Sequence, residues 1–156
     1  MKKQPCSANH YLKDDVYQIT SSLKMLAGIE IVDFSKSIEE QAIQTYNADY
    51  VLLAHNATDD PVFNYGNKAA LKLFEMTWEE FTNLHSKYSA EQDEREQREK
   101  FLAEVRKNGY ADNYSGIRIS KSGKRFEIRN VLLWNVFDDK GNRIGQAAMF
   151  EDYRYL

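Results

Sequence analysis

The sequence predicts an α+β fold with an antiparallel sheet. Two observations carry this. The first half of the chain is mainly helical in its pattern, and the second half is mainly strand. Strand and helix signals do not alternate as they would in a parallel α/β protein. A chain of 156 residues suits one domain of ordinary size with its own core.

The elements follow in order. Val16, Ile19, Leu23 and Leu26 recur on one helical face over residues 11–27, and Gly28 ends that helix. A second helix follows in "DFSKSIEEQAIQTYNAD", with Ser35 or Ser37 as its cap and Glu39 and Glu40 in its first turn. "YVLLAHNA" reads as a strand, "TDDP" as a turn, and "VFNYGN" as a second strand. Asn67 then caps a short helix, and Thr77 with Glu80 forms a capping box for another.

The longest predicted helix spans 89–108, capped by Ser89 and stopped by Gly109. Glu91–Arg95, Glu94–Arg98 and Glu96–Lys100 are spaced as i,i+4 ion pairs, so its first half reads as a solvated face. Three strands complete the chain: "DNYSGIRIS", "RFEIRNVLLWNVF" and "RIGQAAMFEDY", joined by "KSGK" and "DDKGN". In the middle one, strict alternation puts Phe126, Ile128, Leu132, Trp134 and Val136 on one face and Val131, Leu133 and Phe137 on the other. A strand apolar on both faces is covered on both. The short helices cover one face, and the N-terminal helices or a second subunit the other.

Composition excludes several classes. A net charge of −3 argues against a general nucleic-acid binder. The lone Cys6 rules out an internal disulfide and fits a reducing compartment. Neither a signal peptide nor a membrane span is evident, so the expectation is cytoplasmic. The three histidines, His10, His55 and His85, lack metal-site spacing.

The order strand, strand, two short helices, longer helix, three strands is that of a PAS domain. "LAHNATDDPVFNYGNKAALKLFEMTWEEFTNL", "YSAEQDEREQREKFL", "GYADNYSGIRISKSGKRFEIRNVLLWNV" and "GQAAMF" resemble the MEKHLA domain, a PAS-like family. It occurs as free-standing bacterial proteins and at the C-terminus of plant homeodomain–leucine-zipper regulators. The resemblance runs from about Tyr46 to Tyr153 and favours the bacterial stand-alone form; His85 stands where the family usually has Pro. It implies a five-stranded antiparallel sheet with short helices on one face and N-terminal helices packing elsewhere. It also implies a division into a helical extension, 1–45, and a PAS-like domain, 46–156. PAS-like folds sense small molecules, light or redox state through a pocket between sheet and helices, or serve as dimerisation modules. The plant DNA-binding and zipper segments are absent, so DNA binding does not carry over.

The candidate site residues are polar or aromatic groups set in apolar strands. Asn135 and Gln146 must be paired if they face a core, with each other or with a ligand. Arg118 and Arg125 flank the "SKSG" turn, with Arg129 beyond, and favour a carboxylate or other anion. Tyr65, Trp78 and Trp134 are candidate pocket walls, with His55 at a strand end. Flavin–cysteinyl chemistry is disfavoured because no Cys lies near the central helices, and haem has only His85 near a suitable place. His55, Asp59 and Asp60 would be an acid/base set in a catalytic reading, but they read better as a self-bonded turn. No catalytic residue is assigned. The expectation is a ligand-binding or sensory module that forms a homodimer, with a ligand-free interaction module as the alternative.

Overall fold

The computed structural model describes residues 2–156. The elements are α1 (Lys13–Ala27), α2 (Ile38–Tyr46), β1 (Val51–Asn56), β2 (Phe63–Gly66), α3 (Lys68–Phe74), α4 (Trp78–Phe81), α5 (Gln92–Asn108), β3 (Tyr110–Ile119), β4 (Arg125–Phe137), β5 (Arg143–Phe150) and β6 (Asp152–Tyr155). Short 3-10 turns precede α1 and α5. The sheet is antiparallel throughout, with the order β2-β1-β5-β4-β3. Where five strands were predicted there are six, because β6 pairs with the first half of β4. The register does not slip between the two: Leu132 faces Met149 and Arg129 faces Asp152. β6 is therefore the prolongation of β5 past a bend at Glu151.

Asn67 ties three elements together. Its Oδ1 accepts from the backbone N–H of Ala70, capping α3, and from that of Leu52 in β1. Its Nδ2 donates to the carbonyls of Thr45 and Tyr50. The residue is fully buried with all these groups bonded, which low-dielectric surroundings reward strongly. Thr77 and Glu80 close a capping box on α4, and Ser37 caps α2.

The structure differs from the local pattern at two places on α5. Glu91, not Ser89, is the N-cap of α5; Ser89 lies in the preceding 3-10 turn, where its hydroxyl donates to Ser86 O. None of the three i,i+4 pairs on α5 closes: Glu91 reaches Arg125 instead, and Arg95 donates to the carbonyls of Lys87 and Ala90.

The strict alternation of β4 also fails. Asn130 adopts a left-handed conformation, φ 53°, and inserts one extra residue opposite β3. Asn is among the few residues that tolerate this backbone. The bulge turns the second half of the strand over. Phe126, Ile128, Val131, Leu133 and Asn135 consequently share the face toward α3 and α5, while Leu132, Trp134 and Val136 face the other way. Asn113, φ 59°, makes a matching bulge in β3.

That other face is roofed by α1, whose buried stripe is Val16, Ile19 and Leu23. The Trp134 indole N–H donates to Ile19 O, and Ser22 Oγ accepts from the backbone N–H of Phe137. The N-terminal helices of the same chain thus cover the second sheet face.

Candidate functional site

A polar rung crosses the inner sheet face. His55 on β1, Gln146 on β5 and Asn135 on β4 are direct neighbours in register. The rung docks the C-terminal half of α5. Asn135 Nδ2 donates to the carbonyls of Val105 and Arg106, and Gln146 Nε2 donates to Leu102 O at 3.0 Å and Asn135 Oδ1 at 3.2 Å. His55 Nδ1 donates to Asn56 O at 2.8 Å, which leaves Nε2 as a bare acceptor. Close approach of the strands here depends on Gly145: a Cβ at that position would stand 2.1 Å from His55 O.

Two acceptors on the rung lack a donor, His55 Nε2 and Gln146 Oε1. Both residues are buried, at 5% and 2% exposure, and both line one cavity of about 40 Å³ between the sheet and α5. Leu53, Phe74, Leu102, Leu133 and Ala148 form its apolar wall. Burial pushes the His55 pKa down to about 4, and the positive charge of Arg98 adds to this, so the ring is neutral near pH 7.

Two arginines reach the same cavity. Arg118, on β3, donates from Nη2 to Tyr114 Oη at 2.9 Å and from Nη1 to Ile117 O. Gly116 makes space for this pair, since a Cβ there would lie 2.8 Å from Tyr114 Oη and 2.9 Å from Arg118 Nη1. Arg98, on α5, makes no hydrogen bond or ion pair with any described residue. Arg98 and Arg118 are 6% and 7% exposed, and no Asp or Glu among the described residues is buried. Burial, then the neighbouring Arg118 charge, lowers the Arg98 pKa to about 10, still leaving it cationic.

The predicted site residues thus divide. His55, Arg118, Asn135 and Gln146 come together on the inner face. Trp134 lies on the outer face beneath α1. The bulge between Ala54 and His55 places Tyr65 opposite outward-facing Ala54. Tyr65 and Trp78 therefore flank a second, open cleft of about 390 Å³ beside α1, which His55 and Phe63 also line. Their rings meet edge to face at 5.9 Å, and the Trp78 N–H donates to Lys2 O. Arg125 is at the sheet end, paired with Glu91. Asp60 pairs with His85 and Lys87, away from the rung.

Arg98 is the residue that sequence reading missed. It precedes Leu102 by four positions and Val105 by seven, and so continues their buried stripe. That spacing was available, but the Glu94–Arg98 pairing pointed the side chain to solvent. Among the described residues no group of three or more His, Cys, Asp or Glu converges as a metal site, and no helix is long and apolar enough to cross a membrane.

Solved structures of similar fold are PAS and light-oxygen-voltage proteins. The PAS domain of a protein from Colwellia psychrerythraea aligns at 11% identity and TM-score 0.63, over 76% of this chain and 96% of that one. An RNA-binding light-oxygen-voltage receptor aligns at 12% identity and TM-score 0.63, over 76% of this chain and 34% of that one. A PAS domain from a two-component sensor histidine kinase aligns at 17% identity and TM-score 0.56, over 73% of this chain and 91% of that one. No curated protein sequence matches. The fold is therefore PAS-like, as the order of strands and helices predicted. The family model for the MEKHLA domain matches residues 14–155, from the second residue of α1 to the end of β6, so the chain belongs to the MEKHLA domain family.

Proposed function

We propose that the chain is a sensory module that takes a small molecule into the cavity between the sheet and α5, and acts by binding it rather than by catalysis. The observation that supports this is that His55 and Gln146, whose Nε2 and Oε1 are buried acceptors without a donor, both line one cavity. Buried polar groups in folded proteins are nearly all bonded, so the two define a missing donor. Binding there has a direct route outward. Gln146 also donates to Leu102 O, so a ligand on its amide stands one hydrogen bond from the C-terminal half of α5. Native mass spectrometry of the purified chain tests the reading. A small-molecule adduct is expected, and Ala148→Leu, which fills the cavity, should remove it. A clean wild-type spectrum, with no response to a metabolite library, would overturn it.

Residues 46–156 are the PAS-like unit in this reading, and 1–45 an extension whose α1 serves as its roof. A homodimer is the second reading. Tyr17 and Met25 on α1, with Ile29 after it, remain exposed and apolar. Light scattering at micromolar concentration should then show a dimer; a monomer would remove this reading. The cytoplasm suits the single Cys6, and the net charge of −3 disfavours nucleic acid as a partner.

A further inference from the structure

The identity of the missing partner is constrained by what faces the cavity, and this inference rests on reading the cavity as the ligand site. Its lining includes Arg98 and Arg118, buried cations with no buried carboxylate among the described residues. Taking a charge largely out of water without a counter-charge is costly, so an anion beside these guanidinium groups is favoured. Arginine presents a planar fork of donors that matches a carboxylate. The lining also includes His55 and Gln146, whose Nε2 and Oε1 accept and do not donate and have no donor. A simple carboxylate answers the arginines but leaves both acceptors unmet. The volume of about 40 Å³ admits only a compact occupant. That is space for roughly three waters or a ligand of about five non-hydrogen atoms. Leu53, Leu133 and Ala148 in the same lining are apolar and suit a carbon skeleton.

We propose that the cavity binds a short hydroxycarboxylate, its carboxylate held by Arg98 and Arg118 and its hydroxyl donating to His55 Nε2 or Gln146 Oε1. Arg98 supplies the specificity for charge, because its guanidinium has no other partner among the described residues. Arg118 is already oriented by Tyr114 and needs little ordering to bind.

The test is calorimetric titration of the full chain with glycolate, acetate, glycolamide and chloride at one ionic strength, with melting curves alongside. Glycolate should bind and raise the melting temperature. Acetate, lacking the donor, should bind at least tenfold more weakly, and glycolamide, lacking the charge, at least a hundredfold. Arg98→Gln should abolish glycolate binding and yet raise the melting temperature of the ligand-free protein, because it removes an uncompensated charge. If Arg98→Gln does not fold, Arg118→Gln gives the same binding readout. Equal responses to glycolate, acetate and chloride would overturn the proposal in favour of an unselective anion hole. Failure of every anion, with a neutral adduct that Ala148→Leu still removes, would overturn it while leaving the cavity as the ligand site. Failure of both would remove that reading too.

Discussion

The indole N–H of Trp134 donates to the main-chain oxygen of Ile19 at 2.9 Å, joining the outer face of β4 to α1 across 115 positions of chain. Trp134 is fully buried, so this face of the sheet is completed by the N-terminal helix and is not left open. Trp134→Phe keeps most of the apolar area and loses the bond, and should cost ~1–2 kcal/mol in urea denaturation. Trp134→Ala should cost ~3–5 kcal/mol. Removing residues 2–27 should expose Leu132, Trp134 and Val136 together and give an aggregating product in size-exclusion chromatography.

Asn67 should be the least replaceable polar residue of the scaffold. Asn67→Ala strips partners from two N–H groups and two carbonyls at once. A loss of ~3 kcal/mol or more is expected from chemical denaturation. Asn67→Asp keeps both accepted bonds but forfeits both donated ones, and buries a charge besides. It should be no better than Asn67→Ala at pH 7.

How much of this was legible in the sequence depended on range. Asn67, Thr77 and the order of elements were readable because caps and periodicity are local. The two faces of β4 were not, since alternation assumes an unbroken ladder and Asn130 breaks it through one backbone angle. The mismatch left Trp134 among the candidate pocket walls, although it lies under α1. Arg98 was hidden by a competing local pattern: an acid four residues before it offered an exposed pair, and only the packing of α5 shows which neighbour wins. Asn135 and Gln146 stood out as polar residues in apolar strands and His55 as a residue at a strand end, but their alignment in one rung is a property of strand register.

Stability should fall in mild acid because of His55. Burial lowers its pKa to about 4, against 6.5 for the free side chain. Between those values the unfolded chain binds a proton that the folded chain excludes, so stability rises with pH across the window. The contribution is complete above about pH 6.5 and is lost as pH falls toward about 4, by up to ~3 kcal/mol. Urea midpoints at pH 7 and pH 5 measure it, and His55→Gln should flatten that part of the profile. An unchanged slope in the variant would mean that another group carries the dependence.

The two tight glycines should behave differently. Gly145→Ala drives a methyl group into a main-chain oxygen of the adjacent strand, which cannot move without parting β1 from β5. A loss of ~3 kcal/mol or more, or failure to fold, is expected. Gly116→Ala meets only the ends of the Tyr114 and Arg118 side chains. The protein should fold with a cost of ~1–3 kcal/mol, and its near-ultraviolet circular dichroism should change as Tyr114 is displaced.

The bulge at Asn113 has a consequence for colonies of the molecule rather than for one copy. β3 is an outermost strand of the sheet, with ten residues, and a straight strand of that length offers unpaired backbone groups to any neighbour. The left-handed turn at Asn113 puts a kink in that edge, so a second copy cannot continue the ladder along its length. The same asparagine backbone that shifts the register within the sheet thus protects it against fibrillar self-association at high concentration.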